Sequence, residues 1–140
     1  FFFHFNMDLS NGPCVAKRLS GCGAGHEYFA VAENGDLYPC HQFVGRKRYK
    51  LGSIYDGVTD ETLPPYFRES HVLNKEKCAD CWARFFCSGG CHANADLFHG
   101  DIRKPYEVGC EIQKKRLECA LYVQALLALE KEEQVQAAAL

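Results

Sequence analysis

Between residues 78 and 91 the chain reads CADCWARFFCSGGC, four cysteines in fourteen positions. Thiolates are soft ligands, and loops this short let several sulfurs converge on one zinc ion or iron-sulfur centre. Only Cys78 and Cys81 form a C-x2-C knuckle, followed by C-x5-C to Cys87 and C-x3-C to Cys91, so the run fits a two-knuckle zinc ribbon only in part. Nine cysteines, an odd number, argue against a pure disulfide framework.

The rest of the composition narrows the class. A chain of 140 residues can bury ~68% of its unfolded surface. With 47% hydrophobic residues, 24% charged residues and no repeat or low-complexity tract, it reads as globular. A net charge of -2 supplies no field for nucleic acid or an anionic membrane. The longest apolar stretch, Leu117 to Leu129, spans thirteen residues and is broken by Glu118 and Gln124, short of the ~20 that cross a bilayer. The opening FFFHFNMDL has no basic n-region or small-residue cleavage site, and His4, Asn6 and Asp8 interrupt it. It is expected to be a buried edge strand of a preceding domain, from which this chain was cut.

Local signals place the remaining elements. SNGP (Ser10 to Pro13) is a turn cluster, followed by Cys14 and a short basic stretch to Gly21. Alternation over Tyr28–Ala32, the pair Asn34-Gly35 and a second run over Asp36–Cys40 predict a β-hairpin. Another strand is expected over Lys50–Ile54, bounded by Gly45 and the turn Asp56-Gly57, and a short helix from Tyr66 to Val72 behind Pro64-Pro65. HANADLF after Cys91 predicts one or two helical turns ending at Gly100, then a loop through DIRKPYEVGC to Cys110. From Glu111 to Glu133 helix formers dominate without Gly or Pro, which predicts one long helix, apolar nearly all round at its middle and so wanting cover on two sides.

The full array is Cys22, twelve residues, Gly35, four residues, Cys40, a gap, the run Cys78, Cys81, Cys87, Cys91, a gap, and Cys110. This pattern resembles the seven-cysteine signature of the SPASM domain, the auxiliary-cluster domain of many radical S-adenosylmethionine (SAM) enzymes. The segment GPCVAKRLSGCGAGHEYFAVAENGDLYPCHQFVG is similar to that domain in maturases that install thioethers in six-cysteine (SCIFF) ranthipeptides. The resemblance implies a small, loop-rich α+β fold: a hairpin and cysteine loops around two 4Fe-4S clusters, then a long C-terminal helix. By the family pattern, Cys22, Cys40 and Cys91 would hold cluster I, and Cys78, Cys81, Cys87 and Cys110 would hold cluster II. Such a segment is expected to have little other core, so that loss of iron largely unfolds residues 22 to 110.

Two clusters need eight ligands and the motif supplies seven, so either Cys14 reaches back to cluster I or one iron stays open for a substrate thiolate. The C-x3-C-x2-C motif that cleaves the SAM cofactor is absent, because Cys87-x3-Cys91 is followed by Asn94. The resemblance therefore implies three parts: residues 1–13 ending an upstream radical SAM barrel, 14–110 as the SPASM domain, and 111–140 as helix and tail. By itself the chain is not expected to be active. It implies a cytoplasmic peptide maturase, an oxidoreductase making thioether crosslinks in a ribosomally made (RiPP) cysteine-rich precursor. Cluster I would bind or poise the substrate thiolate, and cluster II would assist electron transfer. The upstream barrel would supply SAM and a third 4Fe-4S cluster, with ferredoxin or flavodoxin as electron donor. The alternatives are a stand-alone ferredoxin-like electron-transfer protein and a zinc-binding interaction module.

Other residues have simpler readings. Gly89 and Gly90 make a tight turn whose amides could also face sulfide. His26, His41 and His92 are expected as hydrogen-bonding neighbours of ligands, with Trp82, Phe85 and Phe86 walling a cluster from water. Cys119 is expected as a small buried hydrophobe in the long helix. The run Arg46, Lys47, Arg48, Lys50 is either a solvated loop or a dock for an acidic peptide.

Overall fold

The structure, a computed structural model, describes Leu9 and residues 14–138. The strand expected at the start of the chain and the turn at residues 10–13 therefore lie outside the described residues. Helix α1 (Val15–Arg18) leads to strands β1 (Ala30–Val31), β2 (Asp36–Tyr38), β3 (Gly52–Ser53) and β4 (Gly57–Val58). Then come α2 (Leu63–Glu69), α3 (Glu76–Ala79), α4 (Arg84–Cys87), α5 (His92–His99) and α6 (Glu107–Ala138). The fold is α+β and loop-rich. No helix among the described residues is long and apolar enough to cross a membrane.

The four strands form one antiparallel meander in the order β1-β2-β3-β4. Its first hairpin turns at Asn34-Gly35, where Gly35 has φ 85° and the Asn34 side chain accepts from the Asp36 amide at 3.1 Å. This is the turn chemistry expected of an Asn-Gly pair. Ala30 pairs with Tyr38 and Leu37 with Gly52. The strand expected over Lys50–Ile54 is β3, and its partner β4 was not foreseen. The two approach so closely that a Cβ on Gly52 would lie 2.0 Å from the Gly57 carbonyl oxygen, so only glycine fits.

Aromatic packing holds this small sheet to α2 and α5. Phe43, Phe67, Leu51 and Ile102 are fully buried, and the Phe43 ring lies 4.4 Å from Tyr49 and 5.4 Å, edge-on, from Phe67. Each such side chain contributes roughly 1.5–3 kcal/mol by leaving water. The expectation of little core is thus corrected: a contiguous aromatic core lies under the sheet. Its main members are spread over Leu37 to Ile102, outside any single periodic stretch, so pattern reading could not assemble them.

Helix boundaries also shift. Pro64 and Pro65 fall inside the first turn of α2, where the amides of Thr62 and Leu63 both donate to the Asp60 carboxylate at 2.8 Å. Helix α5 stops at Gly100 with φ 68°, as expected. The long helix begins at Glu107 rather than Glu111, so Cys110 stands in a helical turn and not at the end of a loop. Leu117 and Ala120 of α6 are buried, but Leu121, Tyr122, Leu126 and Leu127 are exposed.

Candidate metal centre

The cysteine run folds as two short helical turns and a reversal. Helix α3 carries Cys78, the Cys81 amide donates to the Cys78 carbonyl at 3.1 Å, and Cys87 ends α4. Ser88, Gly89 and Gly90 then all take positive φ, at 58°, 83° and 73°. A left-handed serine costs roughly 1–2 kcal/mol, so surrounding structure must hold this turn. It delivers Cys91 to the N-cap of α5. Across the loop, Lys77 and His99 each approach the Glu107 carboxylate at 2.8 Å, which brings the start of α6 against α3 and Cys110 toward Cys78.

The consequence is that Cys78, Cys81, Cys87 and Cys110 line one cavity of about 430 Å³. Burial pushes the Cys78 thiol up, helped by neighbouring cysteines and opposed by Lys75. Burial likewise pushes Cys110 up, with Cys87 next in effect. Both are therefore poised to be neutral thiols until a metal displaces their protons. Among the described residues, no three Cys, His, Asp or Glu side chains close on a point as a single ion would require. Four thiols spread round a cavity suit a multi-atom iron-sulfur group better.

The other three cysteines all lie within electrostatic reach of Tyr28. Its pKa is pushed up to about 12 by burial first, then by the negative charge available at Cys22, Cys40 and Cys91. Gln42 donates to the Cys91 sulfur at 3.7 Å. Two devices hold this set. The Gly25 amide reaches the carbonyls of Tyr28 and Pro39 at 3.2 and 3.1 Å, tying the Cys22 turn to the residue before Cys40. Asp96 on α5 is 6% exposed and accepts from Arg46 at 2.7 Å, from Arg48, and from the Tyr49 hydroxyl at 2.6 Å. That clamp fixes the helix behind Cys91 against the segment following Cys40. The two sets abut, since Cys87, Cys91 and Cys110 together line a smaller cavity of about 180 Å³.

Cys14 is exposed ahead of α1 and does not line the four-thiol cavity, while Cys119 is half-buried rather than buried. Three of the four basic side chains of the run are paired within the chain. Arg46 and Arg48 serve Asp96, and Lys50 pairs with Asp36 at 2.6 Å. Trp82 lines the larger cavity but is 53% exposed, so it does not wall it from water, and Phe85 and Phe86 are half-buried. His92 is 3% exposed and its Nε2–H donates to the Ser70 carbonyl at 3.0 Å. Burial, with Lys75 next in effect, brings its pKa down to about 4. His26 lies 3.3 Å from the Ala24 carbonyl, and His41 is exposed.

Sequence reasoning missed Tyr28, Asp96 and Lys75. Tyr28 sits six residues after Cys22, and no spacing rule marks it. Asp96 is one acid in an ordinary helical segment, its role visible only once α5 meets the basic run. Lys75 is an ordinary lysine before a helix in sequence, yet it is 1% exposed.

Cys78, Cys81, Cys87 and Cys110 share one cavity, and comparison with known proteins bears on what such thiols hold. Residues 22–82 match SPASM, an iron-sulfur cluster-binding domain. The SPASM match takes in Cys22, Cys40, Cys78 and Cys81 and stops before Cys87, Cys91 and Cys110, which the fold itself places beside them. It supports iron-sulfur cluster binding as what this segment does. The chain is also similar to an uncharacterized protein of Archaeoglobus fulgidus, 31% identical over 101 residues, which covers 69% of this chain and 24% of that relative. The chain thus spans about a quarter of the relative's length.

Proposed function

We propose that the chain is the auxiliary part of a radical SAM peptide maturase that forms thioethers in a cysteine-rich precursor. In this reading Cys78, Cys81, Cys87 and Cys110 hold one 4Fe-4S cluster, and Cys22, Cys40 and Cys91 hold a second with one iron open to a substrate thiolate. The observation that carries it is the lining of one cavity by four thiols, with Gln42, two residues after Cys40, donating to the sulfur of Cys91. Counting iron in Cys14→Ser separates the open site from an eighth ligand at Cys14: an unchanged count supports the open site, and loss of iron from the Cys22, Cys40 and Cys91 set refutes it.

When bound, the clusters supply one-electron chemistry and Lewis acidity toward a sulfur ligand. The chain's own residues do the rest. Gln42 donates to the Cys91 sulfur, and the Asp96 clamp holds α5 against the segment that follows Cys40. The upstream barrel, S-adenosylmethionine, a third cluster and a ferredoxin- or flavodoxin-type donor belong to the whole enzyme in this proposal, with a cytoplasmic location.

Anaerobic reconstitution with iron and sulfide tests the reading. About eight irons per chain, with two electron paramagnetic resonance (EPR) signals after reduction, is the expected result. A colourless chain that holds zinc tightly and gives no signal would overturn it. Adding a thiol-bearing precursor peptide should perturb one signal alone, and no perturbation would refute the open iron.

A further inference from the structure

Lys75 is a buried cation without a matching carboxylate. Its side chain is 1% exposed, and its ammonium donates to the Gly89 carbonyl at 2.9 Å. No ion pair to Asp or Glu is made by Lys75 among the described residues. A lone buried ammonium costs several kcal/mol, and one neutral carbonyl does not offset that. Its partner Gly89 lines the four-thiol cavity with Cys78, Cys87 and Cys110, and those three thiols and Cys91 of the other set lie within electrostatic reach of the ammonium. Burial works against its charge, and negative charge on those four sulfurs works for it.

Its position is as telling as its surroundings. The Gly89 carbonyl is the midpoint of the left-handed turn Ser88–Gly90 that joins Cys87 of one set to Cys91 of the other. Resting on the reading proposed above, we propose that Lys75 is a positioning residue for both metal groups. It is a fixed cation shared between them that holds the turn separating them and raises both reduction potentials. Each cluster gains one electron, and so one negative charge, from a low-potential one-electron reductant, and no bond breaks. A positive charge between the two favours both reductions.

The test is an EPR-monitored redox titration of the reconstituted 140-residue chain against Lys75→Gln, Lys75→Met and Lys75→Arg. Gln keeps a donor for the Gly89 carbonyl without the charge, Met removes both, and Arg keeps the charge. Expected is an unchanged iron count in K75Q, with both one-electron reductions about tenfold less favourable, about 59 mV, and recovery toward wild type in K75R. Loss of iron from K75Q and K75M but not from K75R also supports the shared cation. Potentials unmoved in K75Q, a shift in one cluster only, or equal failure of K75R would overturn it while leaving cluster binding intact. A wild-type chain that takes up no cluster overturns both readings together.

Discussion

Replacing Asp96 should reveal how much of the second thiol set depends on a contact remote from any sulfur. The carboxylate accepts from two guanidinium groups and from the Tyr49 hydroxyl, which is itself buried. In Asp96→Ala the Tyr49 proton loses its acceptor, a cost of about 1–3 kcal/mol for a buried donor. Arg46 loses a charge-assisted bond of about 1.5–3 kcal/mol. Its side chain is 35% exposed, so water recovers part of that, and Arg48, 58% exposed, adds little. The sum is about 2–4 kcal/mol, read as a lowered urea midpoint in the metal-free chain. Asp96→Asn, which keeps an acceptor for Tyr49, should lose about half as much. The same substitutions should lower iron occupancy at the Cys22, Cys40 and Cys91 set and leave the four-thiol cavity loaded. A loss below about 0.5 kcal/mol in Asp96→Ala, the scale of an ordinary surface change, would refute the clamp.

Other outcomes follow from the same geometry. Serine at Cys78, Cys81, Cys87 or Cys110 should remove about half of the iron and one EPR signal, whereas serine at Cys22 or Cys40 should remove the other signal. Chelating the iron should release hydrogen-exchange protection over residues 76–91 but keep it around Leu37, Leu51 and Phe67, because Cys40 alone of the seven thiols belongs to the aromatic core. Asp101 is held well below the usual carboxylate range, first by its hydrogen bond from Arg103, so stability is present above pH ~4 and falls as pH drops further. Tyr66 donates to that carboxylate, and burial first, then Asp101, pushes it up to about 12. Its contribution is therefore complete below pH ~10 and lost as pH rises toward that value. Asp101→Asn should flatten the acid limb in a pH titration of the urea midpoint. Gly25→Ala should cost at least about 1–2 kcal/mol, because φ is +79° and the new Cβ would meet Phe67 at 2.8 Å.

What the sequence disclosed was whatever short-range chemistry decides. The Asn34-Gly35 hairpin, the Gly100 helix end and the long C-terminal helix each follow from local preference, and the cysteine spacing marks the metal-binding region because ligand geometry restricts loop length. Features that depend on distant segments meeting were not legible. The basic run at Arg46 to Lys50 looked free because its partners, Asp36 and Asp96, lie elsewhere in the chain. Cys110 looked like the end of a loop because Pro105 and Gly109 mask a helix whose first turn is held by Lys77 and His99. Lys75 looked like a surface residue because burial is a property of the fold and not of the residue type.

The early start of α6 has a mechanical consequence. At 1.5 Å per residue, the distance from Cys110 to the buried pair Leu117 and Ala120 is about 10–15 Å, and from that pair to Ala138 about 27 Å. The packed pair acts as a fulcrum, with a thiol on the short arm and a row of uncovered apolar side chains on the long one. A sideways displacement of Leu126, about 9 Å beyond Ala120, is carried to Cys110 through an arm of about 10–15 Å, so the wall of the four-thiol cavity moves by a comparable amount. Docking at the far end of the helix and the tightness of the sulfur cage are thereby set by one rigid body.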